Sequence, residues 1–193
     1  MKLHLIAVGR LRKGPELAMV EDYLDRFAKV GRGLGLPSVT VVELDARGAG
    51  MAAEGDLITR AIPPGAALVI FDERGEQPTS PDFAARLAAW RDSARDVAIV
   101  IGGADGIAPD IRDRADLAIS FGRMVWPHVL VRVMVAEQLY RAASIIAGAP
   151  YHRVWKDTCR KNPSSCAFST AGASRTGRNN PRPTVPTLRT SIV

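Results

Sequence analysis

The 193 residues of the chain are enough for one domain, or for one domain followed by a tail. Hydrophobic residues make up 47% and charged residues 24%, which excludes collagen-like, wholly disordered and disulfide-scaffold chains. The longest apolar runs are too short for a membrane span, and the first residues lack the apolar region of a secretory signal. We therefore expect a cytoplasmic protein with no membrane association.

The net charge of +6 is confined to the C-terminal end of the chain. Residues 154–193 hold seven of the 26 basic and one of the 20 acidic residues, so residues 1–153 are neutral overall. The same segment is rich in Pro, Ser, Thr, Gly and Asn, which predicts a basic, disordered extension. The simpler interpretation is a solvated tail, and the alternative is an arm that binds RNA phosphates. Cys159 and Cys166 lie in this extension and do not have zinc-site spacing.

Strand and helix signals alternate along residues 1–153. In chain order they predict a strand at Leu3–Val8, a helix at Pro15–Val30, a strand at Val39–Leu44, a helix at Met51–Ile62, a strand at Ala67–Phe71, a helix from the Thr79-Ser80-Pro81 cap to about Ala94, a strand at Val97–Ile101, a short helical stretch, a strand at Leu117–Phe121 and a helix at Val129–Ala147. Two of these strands are apolar on both faces. We therefore expect an open, mainly parallel α/β sheet that binds ligands at the carboxyl ends of its strands.

The last predicted helix is apolar around most of its circumference and must be buried on nearly all sides. In a small domain, a second subunit is the expected cover for one of its faces, which predicts a symmetric dimer. Arg132 interrupts the apolar run, and a buried guanidinium needs an acidic or phosphate partner. The structural interpretation is an ion pair in the dimer interface. Glu137 and Arg141 have the spacing of an ordinary, solvent-facing i,i+4 pair.

The segment Gly102–Gly106 is a glycine-rich turn at a strand end, where a backbone can approach a ligand closely. It does not fit the dinucleotide fingerprint. Gly9 and Gly14 have phosphate-loop spacing, but Pro15 and Glu16 follow where Lys and Ser or Thr are required. Nucleoside triphosphate chemistry is therefore not expected.

The three histidines belong to no metal-binding motif, and we expect no metal site. His4 lies in a predicted strand and is interpreted as structural, and His128 as a packing or capping residue. The cluster Tyr151-His152-Arg153 follows the last helix. It suits a polar, planar ligand, with a chance run at a helix end as the alternative.

Three segments, in this order, resemble the RlmH-type ribosomal RNA methyltransferases of the SPOUT class. They are Val100–Gly106, then Trp126-Pro127-His128 continuing through Val131-Arg132-Val133 to Ala136–Ala142, and Pro150–Arg153. The resemblance extends from about Met1 to Arg153. It implies a SPOUT domain over residues 1–153 with a C-terminal trefoil knot, followed by the extension 154–193.

The resemblance also implies a homodimer that binds S-adenosylmethionine in the knot. The implied reaction is methylation of N3 of a pseudouridine in 23S ribosomal RNA on the assembled ribosome. Carried over by position, the cofactor residues are Phe71, Gly102, Phe121, Gly122, Arg123, Met124, Val125 and Trp126. Three residues are expected to reach across the dimer to the target base: Tyr151 stacks on it, His152 acts as a base and Arg153 stabilises the anion.

Two other functions stay open. One is a ribosome- or RNA-binding protein that keeps the fold but transfers no methyl group, and the other is an α/β domain that binds a different adenine nucleotide. The neutral charge of residues 1–153 argues against tight binding to naked RNA and fits recognition of a shaped ribosomal site. The extension departs from the family pattern, and it would either obstruct the active site or add affinity for phosphates.

Overall fold

Among the residues that the structure describes, the alternating pattern folds into five strands and five α-helices. In the computed structural model they are β1 (Leu3–Val8), α1 (Pro15–Gly31), a 3-10 turn (Arg32–Leu34), β2 (Val39–Leu44), α2 (Gly50–Ala61), β3 (Ala67–Glu76), α3 (Ser80–Asp92), β4 (Val97–Ile101), α4 (Pro109–Asp113), β5 (Leu117–Ile119) and α5 (His128–Ile146). The structure describes residues 1–36, 38–46, 50–103 and 105–153. The prediction of a disordered extension at 154–193, together with both cysteines, falls outside the described residues.

The strands form one sheet in the order β2-β1-β4-β3-β5, and every pairing is parallel. Because parallel neighbours need crossover connections, a helix lies between each pair of consecutive strands. Alternate residues of each strand face opposite sides of the sheet. One face packs against α1, α3 and α5, and the other packs against α2 and α4. The predicted open parallel α/β sheet is confirmed, and residues Met1–Arg153 form one compact unit.

The third and fifth strands end at different residues from those predicted. Strand β3 continues beyond Phe71 through a register shift, so that Glu76 pairs with Ile119. Gly75 makes this pairing possible, because a Cβ atom there would lie 2.5 Å from the carbonyl carbon of Ile119. The residues added to β3 are mostly polar and exposed, so apolar periodicity does not reveal them.

Much of helix α5 is buried by other elements of the same chain. Val135 and Leu139 pack into the main core beneath the sheet. On another side, Val133 and Ala136 pack against Val20 of α1. α1 therefore supplies part of the cover that a second subunit was expected to provide, while Leu130 near the start of the helix stays exposed. The homodimer stays a prediction.

Arg132 lies within α5 and is only 3% exposed. Its Nη1 atom donates to Oε1 of Glu43 at 3.0 Å, and its Nη2 atom donates to the carbonyl oxygens of Val8 at 2.6 Å and Gly9 at 2.8 Å. The expected acidic partner is confirmed, but the interface pair is wrong, since Glu43 belongs to the same chain. This pair joins the ends of β1 and β2 to the first turns of α5.

Among the described residues, no helix has the length and apolarity of a membrane span.

Replacing Arg132 with Met should lower the free energy of unfolding by about 3 kcal/mol, because two backbone carbonyls and a carboxylate lose their donor. Chemical denaturation of the unaltered chain and the variant under the same conditions measures the change in the free energy of unfolding. Arg26→Met is the control, since it removes an exposed pair with Asp22 and should leave the unfolding midpoint unchanged. Equal losses in the two variants would contradict a structural role specific to Arg132.

Candidate functional site

A cavity of about 230 Å³ opens at the carboxyl edge of the sheet. Its walls are the second half of β3, the glycine turn after β4, helix α4, the loop after β5 and the first turns of α5. The lining includes Phe71, Asp72, Gly102, Gly103, Arg112, Ser120, Phe121, Gly122, Met124, Val125, Trp126, His128 and Val131. Seven of the eight residues predicted for the cofactor therefore come together here. The eighth, Arg123, is exposed and is not part of the lining.

The glycine turn leaves no room for side chains at two positions. A Cβ atom on Gly102 would lie 2.6 Å from the carbonyl oxygen of Gly106, and one on Gly103 would lie 2.6 Å from Oε2 of Glu54. The amide of Gly106 closes the turn by donating to the carbonyl of Gly103 at 3.2 Å. The turn therefore presents backbone groups to the cavity, as a close approach to a ligand requires.

The loop after β5 is fixed where it leaves the sheet. Ser120 Oγ accepts a hydrogen bond from the amide of Gly122 at 3.1 Å and donates to its carbonyl at 2.9 Å. The ring of Phe121 stacks on Phe71 with 4.9 Å between centroids. Beyond this point Met124 and Val125 are 73% and 82% exposed. The loop thus has an anchored base and an apolar, solvent-facing tip.

An ion pair that the sequence analysis missed joins two walls of the cavity. Nε of Arg112 lies 3.2 Å from Oδ2 of Asp72, whose side chain is 7% exposed. Nη2 of Arg112 also donates to the carbonyl of Ile107 at 3.1 Å. The available signal was an acidic residue directly after the buried part of β3. Its partner is 40 residues away, and no local pattern indicates that pairing.

His128 also lines the cavity, which the sequence analysis did not anticipate. Burial is the main cause of a lowered pKa at this histidine, and the nearby Arg132 lowers it further. Glu54 partly opposes the shift. The ring is therefore neutral at neutral pH and adds no positive charge to the cavity.

The cluster after α5 is organised by Glu137 and Arg141. Nε of Arg141 donates to Oε1 of Glu137 at 3.0 Å, and the hydroxyl of Tyr151 donates to the same oxygen at 3.0 Å. The Arg141 guanidinium lies over the Tyr151 ring, 4.9 Å from its centroid, and its Nη1 is 3.4 Å from Nδ1 of His152. The expectation of a solvent-facing pair is wrong, because both side chains are partly buried. Arg153 is exposed.

Tyr151 is held as a neutral hydrogen-bond donor. Partial burial is the main cause of its raised pKa, and the hydrogen bond to the Glu137 carboxylate raises the pKa further. The phenol therefore keeps its proton throughout the physiological range.

Within the described part of the chain, no group of three or more His, Cys, Asp or Glu side chains lies close enough to hold a metal ion.

Comparison with known proteins identifies the family. The family model described as "Predicted SPOUT methyltransferase" matches residues 1–152. The chain belongs to this SPOUT methyltransferase family. The predicted family is thereby confirmed, and a C-terminal trefoil knot is what the family implies for this α/β fold.

Several curated relatives match nearly their whole length. A Cereibacter sphaeroides protein named "Ribosomal RNA large subunit methyltransferase H" is 70% identical over 155 residues, which cover 80% of this chain and 100% of the relative. A protein of the same name from Paracoccus denitrificans is 68% identical over 154 residues, which cover 79% of this chain and 99% of the relative.

Two solved structures with bound cofactor show a weaker likeness. The SpoU methyltransferase AviRb from Streptomyces viridochromogenes, in complex with AdoMet, is 16% identical with a TM-score of 0.36, over 77% of this chain and 59% of that one. The putative methyltransferase Lpg2936 from Legionella pneumophila, with bound SAM, is 14% identical with a TM-score of 0.34. The match covers 77% of this chain and 66% of that one.

Replacing Gly102 with Ala should weaken S-adenosylmethionine binding by roughly tenfold or more, because the added Cβ atom forces the glycine turn open. Calorimetric titration measures the affinity, and a thermal melt checks that the variant is folded. Gly33→Ala is the matched control, since no atom lies within 4 Å of the added Cβ atom. A folded Gly102→Ala variant with unchanged affinity would show that this turn does not approach the cofactor.

Proposed function

We propose that the chain is an S-adenosylmethionine-dependent ribosomal RNA methyltransferase that acts at N3 of a pseudouridine in 23S RNA on the assembled ribosome. The observation that carries this proposal is the 70% identity to a relative with the matching name, over that relative's full length. The cavity supports it, because seven residues predicted for the cofactor line one site. An enzyme with this substrate works in the cytoplasm, where ribosomes are.

The cavity suits S-adenosylmethionine in shape and charge. Gly102 and Gly103 would hold the cofactor through backbone groups, together with the loop that begins at Phe121. Three acidic side chains line the cavity against two basic ones, and His128 is neutral, so the walls have an excess of negative charge that favours a cation. When bound, the cofactor supplies an activated methyl group on a positively charged sulphur.

The remaining task for the protein is to position the base and to favour loss of the N3 proton. His152 was predicted to accept this proton, but its contact with Arg141 favours a different role. A guanidinium donates only, so a neutral His152 that accepts from Arg141 at Nδ1 carries its own proton at Nε2. Nε2 would then donate to an oxygen of the base and, with Arg153, stabilise the anion that forms as the N3 proton passes to solvent water.

The homodimer is part of this proposal and rests on an exposed apolar surface. Met124, Val125, Trp126 and Leu130 are all exposed, and they lie together between the loop after β5 and the start of α5. Exposed apolar groups in one patch are typical of an interface. A second copy covering this patch would bring its own Tyr151, His152 and Arg153 near the cavity of the first.

Transfer of labelled methyl from S-adenosylmethionine tests the reaction, with assembled ribosomes from cells that lack this gene as substrate. We expect label at a single 23S pseudouridine, and no label on ribosomes from cells that contain the gene. Ribosome binding without label would favour the non-catalytic binder. The full chain is used, so label also shows that residues 154–193 do not block the site.

Replacing His152 with Ala should lower turnover by well over tenfold, as removal of a catalytic proton donor or acceptor usually does, while calorimetric affinity for the cofactor stays unchanged. His152→Gln distinguishes the two roles, because an amide still donates but is not a base. Partial activity of the Gln variant supports donation from Nε2. Equal loss in both variants supports a base, and unchanged turnover removes His152 from the mechanism.

Heterodimers show which subunit supplies this histidine. Mixed dimers of Gly102→Ala with His152→Ala contain one site with both groups intact only if the residues come from different chains. Recovered activity in the mixture supports a shared site. Activity no higher than the average of the two parents contradicts it.

A further inference from the structure

A basic loop follows β1 at the same edge of the sheet as the cavity. Arg10, Arg12 and Lys13 are exposed, and they are the three charged residues between Gly9 and Gly14. Within the described part of the chain, no ion pair or side-chain hydrogen bond neutralises any of the three. Residues 1–153 have no net charge, so this loop is a local excess of three positive charges.

The loop backbone is anchored on both sides of Arg10. The carbonyls of Val8 and Gly9 accept from the Arg132 guanidinium, and the amide of Leu11 donates to Oε1 of Glu43 at 2.7 Å. The side chain of Leu11 packs on the small apolar cluster between α1 and α5. Leu11 therefore points inward while its basic neighbours are exposed. A surface held in this way loses little conformational freedom when it binds a partner.

The anchor places the loop beside the cavity. Val131 of α5 lines the cavity, and the next residue, Arg132, holds the loop. In the sheet, β1 is paired directly with β4, whose end leads into the glycine turn. A polyanion that brings one of its bases to the cavity therefore passes close to these cations.

We infer that Arg10, Arg12 and Lys13 form a contact surface for the sugar–phosphate backbone of the RNA substrate. This inference rests on the proposed function, since it takes the partner to be the RNA that is methylated. Contacts of this kind fix the register and orientation of the RNA without reading its sequence. They also give binding a steep dependence on salt, because each neutralised phosphate releases counterions.

The test compares two triple variants of the full chain that lose the same charge. One is Arg10→Gln/Arg12→Gln/Lys13→Gln. The control is Arg32→Gln/Arg60→Gln/Arg114→Gln, whose three arginines are also exposed but lie at the amino edge, before β2, β3 and β5. Thermal melts check that both are folded, and both keep residues 154–193, so any contribution of the extension cancels.

We expect the loop variant to raise KM for ribosomes by at least tenfold, while kcat and the calorimetric affinity for S-adenosylmethionine stay unchanged. The slope of log KM against log salt should fall by about 2, at roughly 0.7 to 0.9 per lost phosphate contact. A loop variant that matches the control overturns the inference. A changed kcat or cofactor affinity at constant KM overturns it too, because the loop would then act on the cofactor site.

Co-sedimentation with ribosomes over the same salt series separates this inference from the proposed reaction. If the unaltered chain transfers no methyl but sediments with ribosomes, and the loop variant alone does not, the reaction fails and the contact surface stands. If the unaltered chain transfers methyl and the loop variant matches it, the contact surface alone fails. If the unaltered chain neither reacts nor sediments, both are wrong.

Discussion

The buried guanidinium of Arg132, with its contact to the partly exposed Glu43, determines how the carboxyl edge of the sheet is built. A guanidinium at 3% exposure is costly unless its donors are satisfied, and here a carboxylate and two backbone carbonyls satisfy most of them. These acceptors come from the ends of β1 and β2, so burying Arg132 fixes α5 against both strands. The same helix contributes Val131 to the cavity, and its register therefore also sets one cavity wall.

The sequence predicts the elements best where a run of β-branched and apolar residues has clear boundaries, whether the strand is buried, as β1 and β4 are, or is partly exposed, as β2 is. Leu3–Val8, Val39–Leu44 and Val97–Ile101 have the predicted bounds, because turn-forming or polar segments flank each of these β-rich runs. The prediction of where β3 ends is wrong, because residues after Phe71 pair with β5 although their side chains are mostly polar and exposed. Periodicity reports which side chains are buried. Backbone pairing across a register shift leaves no such pattern.

The candidate site shows a similar division. Phe71, Gly102 and Phe121 could be placed together because each ends or follows a predicted parallel strand, and the carboxyl ends of parallel strands meet at one edge. The Asp72–Arg112 pair and the contact of Glu54 with Gly103 could not, since each joins residues far apart in sequence. Sequence reasoning also did not anticipate that α1 covers α5, because amphipathic patterns show that a face is buried but not what buries it.

Electrostatics divides the two ligands of the proposed reaction between two surfaces. The cofactor is a cation, and the cavity meets it with a neutral His128, an Arg112 compensated by Asp72 and further acidic groups. RNA is a polyanion, and three uncompensated cations lie outside the cavity, in the loop held by Arg132. Moving those cations into the cavity would repel the sulphonium group, and moving the acids outward would repel phosphate. The arrangement therefore lets one small domain of zero net charge attract two partners of opposite sign.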